Sequence, residues 1–286
     1  MTLYKKEIEL TRSDVLISAD ELLTRMADSP ALKLLDVRWT LSKPDGSEDF
    51  ASGHIPGALY VDLDTELADH GSTDPTAGRH PLPSPEAFQE TVRSWGIDAD
   101  TEVVVYDDNS ALGAARAWWL LRWAGLSARV LDGGLAAFRD AGGTLETGPT
   151  PEVAPSAVEI TPGRLPVIDA EAAADFDGVL LDARAGERFR GETEPLDPQA
   201  GHIPGARSAP ATDNVPAGTF LPEALLRERF DELGALDGPV GVYCGSGVTA
   251  CHNALALATL GIEPSLYPAS WSGWSSDPSR PVETGA

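Results

Sequence analysis

The sequence predicts an α/β protein written twice: a tandem pair of domains, each a mostly parallel sheet covered by helices. Three observations carry that prediction. First, matched blocks recur in one order. LLDVRW (residues 34–39) leads to GHIPGA (53–58), and LLDARA (180–185) leads to a second GHIPGA (201–206). VVVYDDNSALGAARAWWLL (103–121) parallels VGVYCGSGVTACHNALAL (240–257), and LDGGLAAF (131–138) parallels YPASWSGW (267–274). Near-constant spacing of such blocks marks a tandem repeat. Second, short β-branched runs alternate with helical spacing, the pattern of a parallel, helix-covered sheet. Third, a stretch rich in proline and glycine, ETGPTPEVAPSAVEITPGRLP (146–166), separates the copies.

Taken in order, Ser18-x-x-Glu21 is a capping box that opens a helix. Residues 34–37 and 103–106 read as buried strands, and 114–123 carries helical spacing. Trp118, Trp119 and Trp123 fall at that spacing and read as packing. The second copy repeats the pattern, with strands over 179–181 and 240–243 and a helix over 248–258. The expected domains are 1–147 and 167–286, joined by a linker over 148–166. Each is the size of a typical small domain.

The chain of 286 residues carries a net charge of −24, which argues against non-specific binding to nucleic acid. Its lysines are Lys5, Lys6, Lys33 and Lys43, all in the first half. An anion bound by the second half must therefore be held by arginine or by backbone N–H groups. No apolar run is long enough to cross a membrane, and MTLYKKEIELTRSD lacks the pattern of a signal peptide. A cytoplasmic location is the expectation, with the two cysteines as free thiols.

Both cysteines lie in the block 242–258. Cys244 stands where a β-type run gives way to Gly245, Ser246 and Gly247, with a helix beginning near Val248 and Thr249. Glycines let backbone N–H groups turn inward, and a helix N-terminus adds unpaired N–H groups and the positive end of its dipole. Such a nest favours a thiolate, the nucleophilic form of cysteine. The sister copy has Asp107 at the aligned position, so one copy keeps a working thiol and the other does not. Against this stands the ordinary role of a free cysteine as a small buried hydrophobe. Cys251, seven residues on and inside the following helix, is expected to be structural, as is His252; its sulfur faces away from Cys244.

The repeat, the two GHIPGA turns and the CGSGVT loop resemble a two-domain sulfurtransferase of the rhodanese superfamily, over nearly the whole chain. The loop is similar to that of the 3-mercaptopyruvate sulfurtransferases. That resemblance implies ping-pong chemistry: Cys244 takes a sulfane sulfur from a small anionic donor, becomes a persulfide, and yields the sulfur to a thiol, cyanide or protein-thiol acceptor. No cofactor and no metal are implied. In the mercaptopyruvate enzymes the loop serine works with a histidine and an aspartate of the first domain as a proton relay. The resemblance implies Ser246 and His54 here, with Asp45 or the nearby Asp49. A structural role in the turn also explains His54, because His202 occupies the same place in the second GHIPGA. Arg188 falls where the family places an arginine gripping the donor's anionic group, and Gly245, Gly247, Val248 and Thr249 complete the cradle. Arg184 and Arg190 can equally pair with Asp182, Glu187 or Glu192. A second arginine, usual shortly afterwards, is absent from Glu194-Pro195-Leu196-Asp197-Pro198. That departure leaves thiosulfate open as the donor beside the favoured 3-mercaptopyruvate.

Rival classes fit less well. A phosphatase of the Cys-x5-Arg type needs an arginine where this chain has Ala250. A non-catalytic sulfur-relay module on the same fold stays open, since nothing in the sequence excludes a protein acceptor. No Cys/His cluster has ligand spacing for a metal. Trp39, Trp271 and Trp274 are read as cleft walls or as core.

Overall fold

The computed structural model describes residues 10–28, 31–69 and 71–286. The chain's first nine residues, with Lys5 and Lys6, lie outside them. The first half builds one sheet from β1 (Leu16–Ile17), β2 (Lys33–Asp36), β3 (Leu59–Tyr60), β4 (Val103–Tyr106) and β5 (Ala128–Leu131). Their order is β1-β5-β4-β2-β3, with every pairing parallel. The second half builds another from β6 (Val179–Asp182), β7 (Arg207–Ser208), β8 (Val240–Tyr243) and β9 (Ser265–Leu266), in the order β7-β6-β8-β9 and again parallel. Apart from the edge strand β1, the two sheets share one topology, as the repeat predicts.

Parallel strands need crossover connections, which place helices on both faces. The central strands β4 and β8 are therefore buried along all four residues, which is why their sequences are continuous apolar runs. The register is the same in both sheets, with Asp36 beside Tyr106 and Asp182 beside Tyr243. Each buried carboxylate pairs with the arginine two residues on: Arg38 Nε lies 2.8 Å from Asp36, and Arg184 Nη2 lies 2.6 Å from Asp182. Each tyrosine hydroxyl in turn accepts the amide of the GHIPGA isoleucine, Ile55 at 3.0 Å and Ile203 at 3.2 Å. The duplicated letters thus encode a duplicated network that ties each turn to its sheet.

Residues 147–166 contain no helix or strand, yet they are fastened to the first half. Ser156 donates its amide to Arg93 O, Thr161 to Ala124 O and Arg164 to Trp123 O. Val158 and Leu165 are buried. The helix Ala19–Asp28 shows half of the expected capping box: Glu21 donates its amide to Ser18 Oγ at 3.2 Å.

The halves meet through helices Ala114–Trp123 and Ala250–Ala258, which pack against each other. Every residue of the second is buried, which accounts for its largely apolar sequence, with His252 and Asn253 as its polar members. One hydrophobic core runs through both halves, so their relative placement is set by packing as well as by polar contacts.

Candidate active site

Cys244 follows the carboxyl end of β8, where open parallel sheets place their ligand sites. The residue is 1% exposed. Its backbone is clamped on both sides: Cys244 N donates to Ser270 Oγ at 3.1 Å, and Trp271 N donates to Cys244 O at 2.9 Å. Ser270 holds a left-handed conformation, φ 53°, at the position where the first copy has Gly134, φ 56°. A serine in that strained region has a reason to be there, and the reason is the hydroxyl.

Of the four loop residues expected to form the cradle, one donates to sulfur. Gly247 N–H points at Cys244 Sγ from 3.1 Å. Gly247 has φ 82°, and a β-carbon there would sit 2.3 Å from Pro268 O, so only glycine fits. Among the described residues, no acceptor takes the amides of Gly245, Ser246, Val248 or Thr249. The sister loop shows what such a cradle holds. Both oxygens of Asp107 are bound by the amides of Asn109, Ala111, Gly113 and Ala114, at 2.8–3.0 Å. Burial raises the Asp107 pKa, and these four donors oppose it. The loop of the first copy is thus built around a carboxylate, and the aligned loop of the second places the Cys244 sulfur at that position.

The relay residues require a correction. Ser246 Oγ lies 2.8 Å from Nδ1 of His80, not of His54, and His80 Nε2 lies 3.3 Å from Asp64 Oδ1. His80 is buried and Asp64 partly exposed, so the chain of groups runs from the cysteine loop toward solvent. His54 is occupied elsewhere. Its Nδ1 meets Phe50 O at 2.8 Å, its ring stacks on Phe50 at 3.8 Å, and its Nε2 reaches Glu146 at 3.2 Å. His202 repeats this, with Nδ1 on Phe189 O at 2.7 Å and its ring stacked on Phe189. The shared turn needs a histidine for its own geometry. Asp45 accepts from Ser47 N and Tyr60 OH, and Asp49 pairs with Lys43, so both belong to local structure at the surface.

Arg188 does reach the loop. Its Nη1 lies 3.4 Å from where a β-carbon on Gly245 would sit, and Nη2 of Arg79, from the first domain, lies 3.2 Å from the same point. Arg188 is braced by Glu194 at 2.7 Å and Asp197 at 3.2 Å, and Arg79 by Asp197. Arg184 is committed to Asp182 and Glu194, and Arg190 to Glu192. Among the described residues no group of three or more His, Cys, Asp or Glu is placed to hold a metal ion, and no helix is long and apolar enough to cross a membrane.

A family model described as a rhodanese-like domain matches residues 18–141 and again 168–277. The chain belongs to the rhodanese family. Relatives align end to end. Mycobacterium tuberculosis SseB, whose name proposes thiosulfate sulfurtransfer, is 47% identical over 96% of this chain and 98% of its own. A Pseudomonas aeruginosa protein named "Probable 3-mercaptopyruvate sulfurtransferase" is 46% identical over 94% of this chain and 98% of its own. The crystal structure of the 3-mercaptopyruvate enzyme SseA from Escherichia coli superposes with a TM-score of 0.78 at 33% identity, covering 90% of this chain and 98% of that one. This rhodanese-family chain is accordingly a sulfurtransferase.

Sequence reasoning missed four residues that the structure brings together around the Cys244 loop: His80, Asp64, Arg79 and Arg116. A signal for the first existed in the repeat. Gly78-Arg79-His80 aligns with Gly218-Thr219-Phe220, and both glycines are left-handed, φ 83° and 85°. One copy has a histidine where the other has a phenylalanine, the same kind of asymmetry that singled out Cys244. Arg116 gave no signal. It is fully buried in helix Ala114–Trp123 and donates to Leu67 O, His80 O, Pro81 O and Gly247 O, binding the His80 segment to the cysteine loop. Cys251 and His252 are buried as expected. Burial pushes the Cys251 thiol up to about 12 and lowers His252 to about 4. Trp271, Trp274 and Trp39 are all buried in the core, and Trp39 also sits edge-on to His80 at 5.7 Å.

Proposed function

We propose that this sulfurtransferase takes its sulfur from 3-mercaptopyruvate by way of a persulfide on Cys244. The observation that carries the donor assignment is the Ser246–His80–Asp64 chain beside the thiol. A mercaptopyruvate donor leaves as a carbon anion and needs a proton; thiosulfate leaves as sulfite and does not. A positioned hydroxyl backed by an imidazole supplies that proton.

In this reading the Cys244 proton passes through Ser246 toward His80, and the thiolate attacks the donor sulfur. The new S–S bond forms as the donor's C–S bond breaks, with its electron pair going to the methylene carbon. The relay returns the proton to that carbon, which gives pyruvate and leaves Cys244 as a persulfide. The amides of Gly245, Ser246, Val248 and Thr249, which have no acceptor among the described residues, stabilise the added sulfur, as preorganised donors stabilise any developing charge. A thiol, cyanide or a protein thiol then removes it. Two free thiols fit a reducing, cytoplasmic setting.

The test is a steady-state comparison of 3-mercaptopyruvate and thiosulfate with cyanide as acceptor, using Cys244→Ser as the blank. Higher kcat/KM for mercaptopyruvate is expected. A preference for thiosulfate would overturn the donor assignment, and turnover by Cys244→Ser would overturn the persulfide.

A further inference from the structure

A cavity of about 490 Å³ lies at the joint between the domains and shares no residue with the cysteine loop. Three segments of chain wall it. Trp118 and Arg122 belong to helix Ala114–Trp123, Arg164 and Leu165 to the linker, and Ala258 and Ile262 to the end of helix Ala250–Ala258 and the turn beyond it. That last helix begins just after the Cys244 loop, and eight residues of it, about 12 Å of rise, separate Ala250 from Ala258.

Two observations make one end of this cavity polar. Among the described residues, the arginine side chains that make neither a hydrogen bond nor an ion pair are those of Arg122, Arg139 and Arg164, and two of these three line the cavity. Other partly buried arginines are matched: Arg93 with Glu90, Arg129 with Glu21 and Glu102, Arg280 with Glu171. Arg122 is half-buried, and burial lowers its pKa; Glu263, exposed at the rim, and Asp14 act on it only from beyond ion-pair distance. The second observation is Trp118, 2% exposed, whose indole Nε1 is buried with no hydrogen-bond partner. A buried donor and a partly desolvated cation are both costly to leave unmatched. A chain of net charge −24 has carboxylates in excess, yet these two guanidinium groups go without one.

The rest of the wall is apolar. Leu165 and Ala258 are buried, and Ile262 packs against the core. The volume falls within the range of about 300–1,000 Å³ in which proteins hold small ligands. Guanidinium groups match the paired oxygens of a carboxylate, and the apolar wall matches a hydrocarbon body.

We propose that this cavity is a binding site for an amphipathic carboxylate, its head held by Arg122 and Arg164 with the Trp118 N–H as a further donor, and its body laid against Leu165, Ala258 and Ile262. The site stands apart from the donor assignment, since it shares no side chain with Cys244, Ser246, His80, Arg79 or Arg188.

The experiment is isothermal titration calorimetry of the full-length chain with octanoate and with 2-naphthoate, an aliphatic and an aromatic body on the same head. Acetate and 1-octanol serve as head alone and body alone. At least one of the two carboxylates is expected to bind at a single site with a Kd of about 10 μM to 1 mM, and both controls about 10-fold more weakly or less. Arg122→Gln and Arg164→Gln each weaken binding about 10- to 100-fold, and Trp118→Phe, which removes the N–H and keeps an aromatic ring, about 3- to 10-fold. Circular dichroism and retained sulfur transfer show that the arginine variants are folded, and exposed Arg164 supplies the test should Arg122→Gln fail to fold. Arg188→Gln, at the cysteine loop, leaves the affinity unchanged. Binding of neither carboxylate, equal affinity for 1-octanol, indifference to both arginine substitutions, or loss of binding in Arg188→Gln would each overturn the inference.

Discussion

In the proposed mechanism His80 serves catalysis and His54 serves architecture, and exchanging each for glutamine measures the difference. His80→Gln removes the imidazole that lies 2.8 Å from Ser246 Oγ. General acid–base assistance contributes about 10²- to 10⁴-fold, so kcat with 3-mercaptopyruvate should fall by that range, about 3–5 kcal/mol of barrier. With thiosulfate the loss should stay below about 10-fold, since sulfite departs without a proton on carbon. His54→Gln instead removes the 2.8 Å contact to Phe50 O and a stacked ring pair. Phe50 O keeps the Gly53 amide as a donor, so losing the imidazole hydrogen bond costs about 0.5–1.5 kcal/mol and losing the stack about 0.5–1.5 kcal/mol. That loss belongs in the denaturation midpoint, with kcat per folded molecule unchanged. The assay is kcat for both donors alongside urea denaturation for all three proteins. Equal losses with both donors in His80→Gln, or a large kcat loss in stable His54→Gln, would refute the relay assigned here.

Cys251→Ala should leave turnover within about 2-fold, because a thiol pushed up to about 12 holds negligible thiolate at neutral pH; alkylation kinetics and activity together check this. Ser270→Ala keeps the left-handed strain and orphans the buried Cys244 amide, so it should destabilise by about 1–3 kcal/mol, and Ser270→Gly by less because glycine relieves the strain. A thermal melt ranking alanine above glycine would contradict that. His252 is lowered to about 4 by burial, so the unfolded chain binds its proton first as pH falls. Stability from this group is present above pH 6.5 and lost toward pH 4, on the order of 3 kcal/mol, and His252→Gln should flatten the melting curve across that window.

How much was legible in the sequence follows from which interactions are local. The strands β4 and β8 announced themselves because burial on both faces forces an apolar run, and the Cys244 loop because strand, glycines and helix are contiguous. Arg184 could be read as a partner of Asp182 for the same reason, being two residues away. The relay was not contiguous: Ser246 and His80 are separated by 166 positions and meet only across the domain interface. A histidine in a repeated turn therefore drew the assignment, although repetition pointed to architecture. Arg79 was hidden likewise, since its partner Asp197 lies in the other copy.

The same asymmetry explains why a duplicated fold carries one site. At the mirror position Asp107 fills its own nest with a permanent carboxylate, and Phe220, in place of His80, stacks on His252 at 4.9 Å. Phe220 N donates to Asp132 Oδ1, and His252 Nε2 meets Ser110 O, so this second meeting of loop and segment serves adhesion between domains. The duplication thus separates two demands: one junction holds a carboxylate in its loop and an aromatic stack, and the other holds the cysteine and the Ser246–His80 pair. It follows that a thiol alone does not make a site. Asp107→Cys in a Cys244→Ser background restores the sulfur atom but has Asn109 where Ser246 would stand and Phe220 in place of His80. Sulfur transfer from 3-mercaptopyruvate should stay at background, and measurable turnover by that variant would show that the cradle, not the partner domain, is the whole of the machinery.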